Sequence, residues 1–286
     1  MSYEAFKAFD LSRIAGALGA EISGIDLARP LDDAVIAEIR GALLDHQVIF
    51  FHNQHLTPEQ HLAFGRRFGD LNIHDFVAGM PDHPEILEVR KEEHETGGNF
   101  GGAWHSDVTY LEEPALGSIL YAREVPAFGG DTLFANMYLA YDALSEGMKR
   151  MLAGMTAVHS ARRAYSPRSN YFTEGQRSMK IRRSNAAEAE VQHPVVRTHP
   201  ETGRKALFVN GTFTIRFTDM TEAESAPLLD YLYRHATRPE FTCRFRWRSN
   251  AVAFWDNRCV QHYAINDYHG QQRIMHRVTV NGDRPY

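Results

Sequence analysis

In the run GGAWHSDVTY (Gly101–Tyr110) a histidine and an aspartate stand two residues apart. Side chains on a β-strand alternate between faces, so an extended segment here points His105 and Asp107 the same way. Alone, the two make a hydrogen-bonded surface pair, which is the commonest meaning of so short a match. A third ligand changes that meaning. Late in the chain, FWDNRCVQHYAINDYHGQQRIMHRVTV supplies His262 beside an apolar run. Two imidazoles and one carboxylate form the facial triad of non-haem Fe(II) oxygenases, which leaves positions open for a bidentate co-substrate and dioxygen. The same ligand set also builds hydrolytic zinc sites.

The segment RIMHRVTV bears on the choice of metal. On a strand, Arg273, Met275, Arg277 and Thr279 share one face, and Ile274, His276, Val278 and Val280 share the other. Burying an unpaired guanidinium costs several kcal/mol, so two arginines on one face of an otherwise apolar strand call for an anion. The guanidinium fork suits a carboxylate held by two parallel hydrogen bonds. A 2-oxo acid co-substrate needs such a clamp beside its metal and a zinc hydrolase does not, so iron is the favoured reading.

The elements that must carry these residues read as many strands and few helices. GAEISGIDL gives short strands broken by glycines, QVIFF a buried strand, and PEILEVRKE and ALGSILYAREVP two more. DDAVIAEIRGALLDH has helical spacing behind acidic residues. TPEQHLAFGRRFG is a helix opened by Thr57 and Pro58 and closed by Gly69. ANMYLAYDALSEGMKRMLAGM reads as one helix, and TEAESAPLLDYLYRHAT as another capped by Thr221. HPVVRTHPETGRKALFVN is a hairpin, and FTCRFRWRSNAVAFWDN two strands around Ser-Asn. The polar, aperiodic stretch near 160–190 is longer than an ordinary connection and reads as a lid. With no repeat and no low-complexity linker, a single domain over 1–286 is expected: a mainly β protein with a double-stranded β-helix (jelly-roll, cupin-like) core and decorating helices.

Composition excludes several classes. Lysine plus arginine against aspartate plus glutamate gives 31 − 36 = −5, so no basic field argues for nucleic acid. Cys243 and Cys259 lack CxxC spacing, and free thiols fit a reducing compartment. The N-terminal stretch carries Glu4, Asp10 and Glu21 without a long apolar run, and no run reaches membrane length. A cytoplasmic protein that binds no membrane is expected; a homo-oligomer remains open.

The order and spacing of GAEISGIDLARPL, HQVIFF, WHSDVT, GGDTLF, HPVVRTHPETGRKALFVN, WDNRCVQHYA and RIMHRVTV resemble the taurine/2,4-dichlorophenoxyacetate dioxygenase family over nearly the whole chain. These are Fe(II)- and 2-oxoglutarate-dependent oxygenases on a double-stranded β-helix. The resemblance implies iron ligands at His105, Asp107 and His262, and a 2-oxoglutarate carboxylate held by Thr132 and Arg273. It implies a substrate anion met by Arg277 and His74, with Phe213 and Tyr165 as aromatic walls. The taurine-acting members carry a tyrosine where this chain has Val77 and an asparagine where it has Gly101, which implies a roomier and less polar pocket. The implied reaction hydroxylates a C–H bond of a small anion such as a taurine-like sulfonate, with O2 consumed and 2-oxoglutarate converted to succinate and CO2. Two other readings stand beside it. One is an oxygenase for an aryloxyalkanoate or other carboxylate; the other is a jelly-roll metal-binding protein without turnover.

Overall fold

The computed structural model describes residues 6–170 and 177–286. In chain order, β1 (Asp10–Arg13), β2 (Ala20–Ser23), α1 (Asp33–His46), β3 (Val48–Phe51) and α2 (Pro58–Arg66) come first. Then follow β4 (Ile86–Lys91), β5 (Gly117–Glu124), β6 (Thr132–Asn136), α3 (Met137–Asp142), α4 (Glu146–Leu152), β7 (Thr156–Ser160) and α5 (Arg162–Tyr165). The rest comprises β8 (Glu190–Pro194), β9 (Val196–Thr198), β10 (Lys205–Leu207), β11 (Thr214–Phe217), α6 (Glu222–Ala236), β12 (Thr242–Phe245), β13 (Val252–Asp256), β14 (Val260–Ala264) and β15 (Arg273–Val280).

Seven strands form the large sheet in the order β1-β2-β3-β13-β5-β15-β4, and β12-β6-β14 form a smaller one. Strand alternation explains why VIFF is buried throughout. Phe50, with Leu120, Trp255 and Met275, points into the core shared with Phe134, Phe245 and Val260 of the small sheet. Ile49 and Phe51, with Ile119, Tyr121 and Phe254, point the other way onto Ile39, Leu43 and Phe64 of α1 and α2. A strand covered on both faces needs no polar alternation. The facing sheets meet through aromatic rings, with Phe50 stacked on Phe245 at 4.0 Å. This is the jelly roll the sequence predicts.

Local capping agrees with the sequence at α2 and α6, where Thr57 and Thr221 each complete a capping box with Gln60 and Glu224. Other elements depart from it. The helix expected over ANMYLAYDALSEGMKRMLAGM is two helices, because Ser145 caps α4 by accepting from the Met148 N–H at 3.2 Å and so restarts the chain. The glycine turn before it runs directly into β6, a strand the periodicity did not reveal. The helix expected to close at Gly69 ends at Arg66; Gly69 is needed instead because a Cβ there would lie 3.0 Å from Val280 Cγ1. The two strands around Ser-Asn form as expected; β12 pairs with β6 in the small sheet and β13 lies between β3 and β5 in the large one.

One flank of the expected lid pairs with the loop that carries Phe76 and Val77. Ala78 N–H donates to Lys180 O, Arg182 N–H donates to Phe76 O, and Val77 and Ile181 form a β-bridge. Residues 171–176 of that segment lie outside the described residues.

Candidate active site

The His-x-Asp segment is not a strand. Residues 107–110 form a turn, and Val108 takes φ 48°, left-handed backbone that a β-branched residue rarely adopts. Buried polar contacts hold it there: Thr109 Oγ1 accepts from Asn210 Nδ2 at 3.1 Å and lies 3.1 Å from His159 Nδ1. His105 still pairs with β14, through a bridge to His262 made by His105 N–H to His262 O (3.2 Å) and the reverse bond (2.8 Å). Backbone pairing, not strand alternation, brings the two imidazoles to a ring separation of 4.2 Å.

Ligand atoms of His105, Asp107 and His262 all lie within 4.8 Å of one another, and all three residues are buried. His105 Nδ1 donates to Ala103 O at 2.7 Å, which leaves the Nε2 lone pair facing Asp107 Oδ1 at 3.7 Å. His262 Nε2 lies 4.0 Å from Asp107 Oδ2. Burial pushes both imidazoles below the usual histidine range, and neutral imidazole is the form that ligates a metal. Burial alone would raise the Asp107 carboxyl, but Arg277 and the two histidines reverse that and hold it below the usual carboxylate range. Two neutral nitrogens and an ionised carboxylate, converging in a closed pocket, fit a divalent metal ion.

The triad separates two cavities that share Phe100, Gly101, His105 and Arg277. One of them contains Thr132, His262 and Arg273. Arg273 is 5 % exposed, and its Nε and Nη2 have no hydrogen-bond partner. Burial lowers its pKa, with Tyr268 and Asp131 opposing. Trp247 Nε1 donates to Thr132 Oγ1 at 2.9 Å, and an indole N–H can only donate, so the Thr132 hydroxyl proton stays available. An unpaired guanidinium and a spare hydroxyl donor in one cavity are the complement of a carboxylate.

The second cavity is lined by His74, Asp107, Val108, Tyr165 and Phe213. Phe213 meets the His105 ring edge-on at 6.2 Å, and Tyr165 stacks on Phe76 at 5.0 Å. His74 Nδ1 accepts from the Phe76 N–H at 3.1 Å, so Nε2 carries the proton. Burial, then the nearby Arg277, lowers its pKa to about 3; His74 therefore offers an N–H donor and no charge. Arg277 is already engaged, donating from Nη1 to Asp107 Oδ1 at 2.6 Å while its Nε has no partner.

Gly101 and Val77 separate here. A Cβ on Gly101, whose φ is 77°, would lie 3.4 Å from His105 Cε1, so glycine keeps the space above that ring open. Val77 is 1 % exposed and packs with Phe76, Met179 and Ile181 behind the cavity, outside its lining; it adds no room. Sequence reasoning missed Phe100, Ser118 and Asn257. Ser118 carried a signal: it is a polar residue on the face of β5 that Leu120 and Ala122 otherwise turn to the core.

A jelly roll that brings two histidines and an aspartate together beside a buried, unpaired arginine defines the class of non-haem, 2-oxo-acid-dependent oxygenases. The chain belongs to the taurine catabolism dioxygenase TauD, TfdA family, whose model matches residues 10–279. Among its relatives, an alkylsulfatase of Acinetobacter baylyi is 38% identical over 96% of this chain and 85% of its own length. An alpha-ketoglutarate-dependent sulfate ester dioxygenase of Pseudomonas putida is also 38% identical, over 96% and 90%. A crystal structure of a putative alpha-ketoglutarate-dependent taurine dioxygenase from Burkholderia xenovorans superposes with a TM-score of 0.81 at 37% identity, covering 97% of this chain and 94% of that one. The chain is thus an enzyme, a 2-oxoglutarate-dependent dioxygenase, and among the described residues no helix is long and apolar enough to cross a membrane.

Proposed function

We propose that the chain is one catalytic domain that hydroxylates the carbon bearing the ester oxygen of a small alkyl sulfate, with Fe(II), 2-oxoglutarate and O2. His105, Asp107 and His262 would hold the iron, which when bound supplies the activation of dioxygen. Thr132 and Arg273 receive the far carboxylate of 2-oxoglutarate, the guanidinium through a charge-assisted fork and the hydroxyl through its spare proton. Arg277 and the His74 Nε2–H face the sulfate, and Phe213 and Tyr165 hold the alkyl chain against water. Glycine at 101 leaves free the volume that a Cβ would fill beside the His105 ring. The sulfate ester loses a C–H hydrogen and gains hydroxyl, and the resulting α-hydroxy ester splits at the C–O bond. Alkyl sulfate, 2-oxoglutarate and O2 then give aldehyde, sulfate, a proton, succinate and CO2.

The observation that carries this reading is the pairing of an unpartnered Arg273 on one side of the triad with an aromatic, donor-bearing cavity on the other. The relatives that act on sulfate esters support the choice among anions. A cytoplasmic site of action and a lid role for the segment near 160–190 belong to the same proposal. The test is a panel of alkyl sulfates, alkyl and aryl sulfonates, aryloxyalkanoates and taurine, read by succinate formation and sulfate release. Medium-chain alkyl sulfates should show the highest kcat/KM. A higher value for taurine or for an aryloxyalkanoate would overturn the assignment. Absence of succinate with every compound, despite bound Fe(II), would place the substrate outside these classes of anion and overturn the assignment as well.

A further inference from the structure

Asp107 is held from a second side, by groups that touch neither cavity. Asn257, 2 % exposed, sits in the turn between β13 and β14, with its N–H donating to Leu116 O at 2.9 Å. Its Oδ1 accepts from the Asp107 N–H at 3.0 Å and from Trp255 Nε1 at 3.0 Å. Peptide and indole N–H groups can only donate, so the oxygen of the side-chain amide must be on that edge. Nδ2 therefore faces Ser118 and donates to Ser118 Oγ at 3.0 Å. With that lone pair taken, the Ser118 proton points to Asp107 Oδ2, 2.7 Å away. Thr279 Oγ1, at 3.5 Å, is too distant to compete for it.

The chain of bonds closes on itself, from the Asp107 backbone through Asn257 and Ser118 to the Asp107 carboxylate. One residue thus fixes both the main chain and the side chain of the carboxylate that faces the two imidazoles. Trp255 Nε1 and the bond from the Asn257 N–H to Leu116 O hold Asn257 itself in place. This is the arrangement by which outer groups orient a metal ligand, and such groups typically govern ten- to a hundredfold of metal affinity.

We propose that Asn257, acting through Ser118, is a positioning residue that presents Asp107 to the metal. This rests on the reading that His105, Asp107 and His262 hold the metal. Asn257→Asp keeps both acceptor contacts but cannot donate to Ser118, which frees the hydroxyl to turn away from Asp107. Ser118→Ala removes the last link alone. The experiment titrates Mn(II) into the full-length protein without co-substrate and reads free Mn(II) by electron paramagnetic resonance. His105→Ala and Ile39→Val are run in parallel, and all metal-free proteins are melted in EDTA.

Both variants should raise the Mn(II) Kd roughly ten- to a hundredfold. Ile39→Val, on the buried face of α1, should lower the melting temperature without moving Kd. Wild-type affinity in Ser118→Ala overturns the inference, and so does an equal loss of affinity in Ile39→Val. Should Asn257→Asp fail to fold, Ser118→Ala decides alone. If His105→Ala also binds Mn(II) as the wild type does, the metal-site reading itself falls, and this inference with it.

Discussion

Two buried clusters in this molecule look alike by composition and differ in what they leave unfinished. His105, Asp107 and His262 form one, and His199, Asp256 and Cys259 the other; in each, the candidate ligand atoms lie within 4.8 Å of one another. In the second cluster nearly every polar atom is spoken for. His199 Nε2 donates to Asp256 Oδ2 at 3.0 Å, and its Nδ1 accepts the N–H groups of Glu201 and Thr202 at 3.2 Å. Asp256 receives Arg258 on both oxygens, and Arg258 Nη1 donates to Glu201 Oε1 at 2.7 Å. In the first cluster the two Nε2 atoms face a carboxylate at 3.7 and 4.0 Å without hydrogen-bonding to it, and Arg273 nearby is unpaired. Desolvation makes unpaired buried groups costly, so they persist where something else completes them. A group of histidines and acids is a site when its hydrogen bonding is incomplete; when complete, it is a pin that holds the fold.

That contrast can be broken most decisively by exchanging the damage. Alanine at His105, Asp107 or His262 should abolish turnover and take the Fe(II) content at saturation from one per chain to none. Asp256→Asn should leave that ratio at one but cost about 3–5 kcal/mol of stability in urea, because Arg258 and His199 lose the buried carboxylate they share and Arg258 keeps only Glu201. Loss of stoichiometric iron from Asp256→Asn, or full activity in a triad variant, would erase the distinction. A smaller effect is expected at Arg273. Lysine there keeps the charge but loses the fork, so the 2-oxoglutarate requirement should rise tenfold or more, about 1.5–3 kcal/mol for a charged hydrogen bond. An unchanged requirement would mean that the co-substrate carboxylate binds elsewhere.

The smallest effect concerns the thiols. Burial raises Cys259 well above the usual thiol range and Cys243 to about 12. A thiol whose folded pKa is raised stays protonated at pH 8, where only the thiolate reacts. Neither cysteine should therefore react with Ellman's reagent in the folded protein, and both should after denaturation. Rapid reaction of Cys259 in the native state, read in a Cys243→Ser background, would show the second cluster to be open rather than closed.

Local pattern was enough for everything that depends on period and capping. The alternation of RIMHRVTV puts Arg273 and Arg277 on one face of β15, and both are buried where that face meets the site. Thr57 and Thr221 opened the helices they were expected to open. The ligand types of the triad, and with them the reaction class, were legible because few chemistries need two imidazoles and a carboxylate beside buried arginines. What period cannot carry is register between distant segments. The bridge from His105 to His262, the placement of β12 and β13 in different sheets, and the left-handed Val108 all arise from pairing and packing across the roll.

The same reason explains Val77 and Asn257. From sequence, Val77 stood for a widened pocket, yet its contacts turn it toward Ile181 behind the wall. Asn257 is one polar residue in a turn until β13 and β5 set it between the Asp107 backbone and the Ser118 hydroxyl. Residue types and their spacing were enough to name the groups able to bind iron, a 2-oxo acid and an anion. Which of them remain unsatisfied emerges only from the packed fold, because hydrogen-bond satisfaction is a property of neighbours in space and not of residues along the chain.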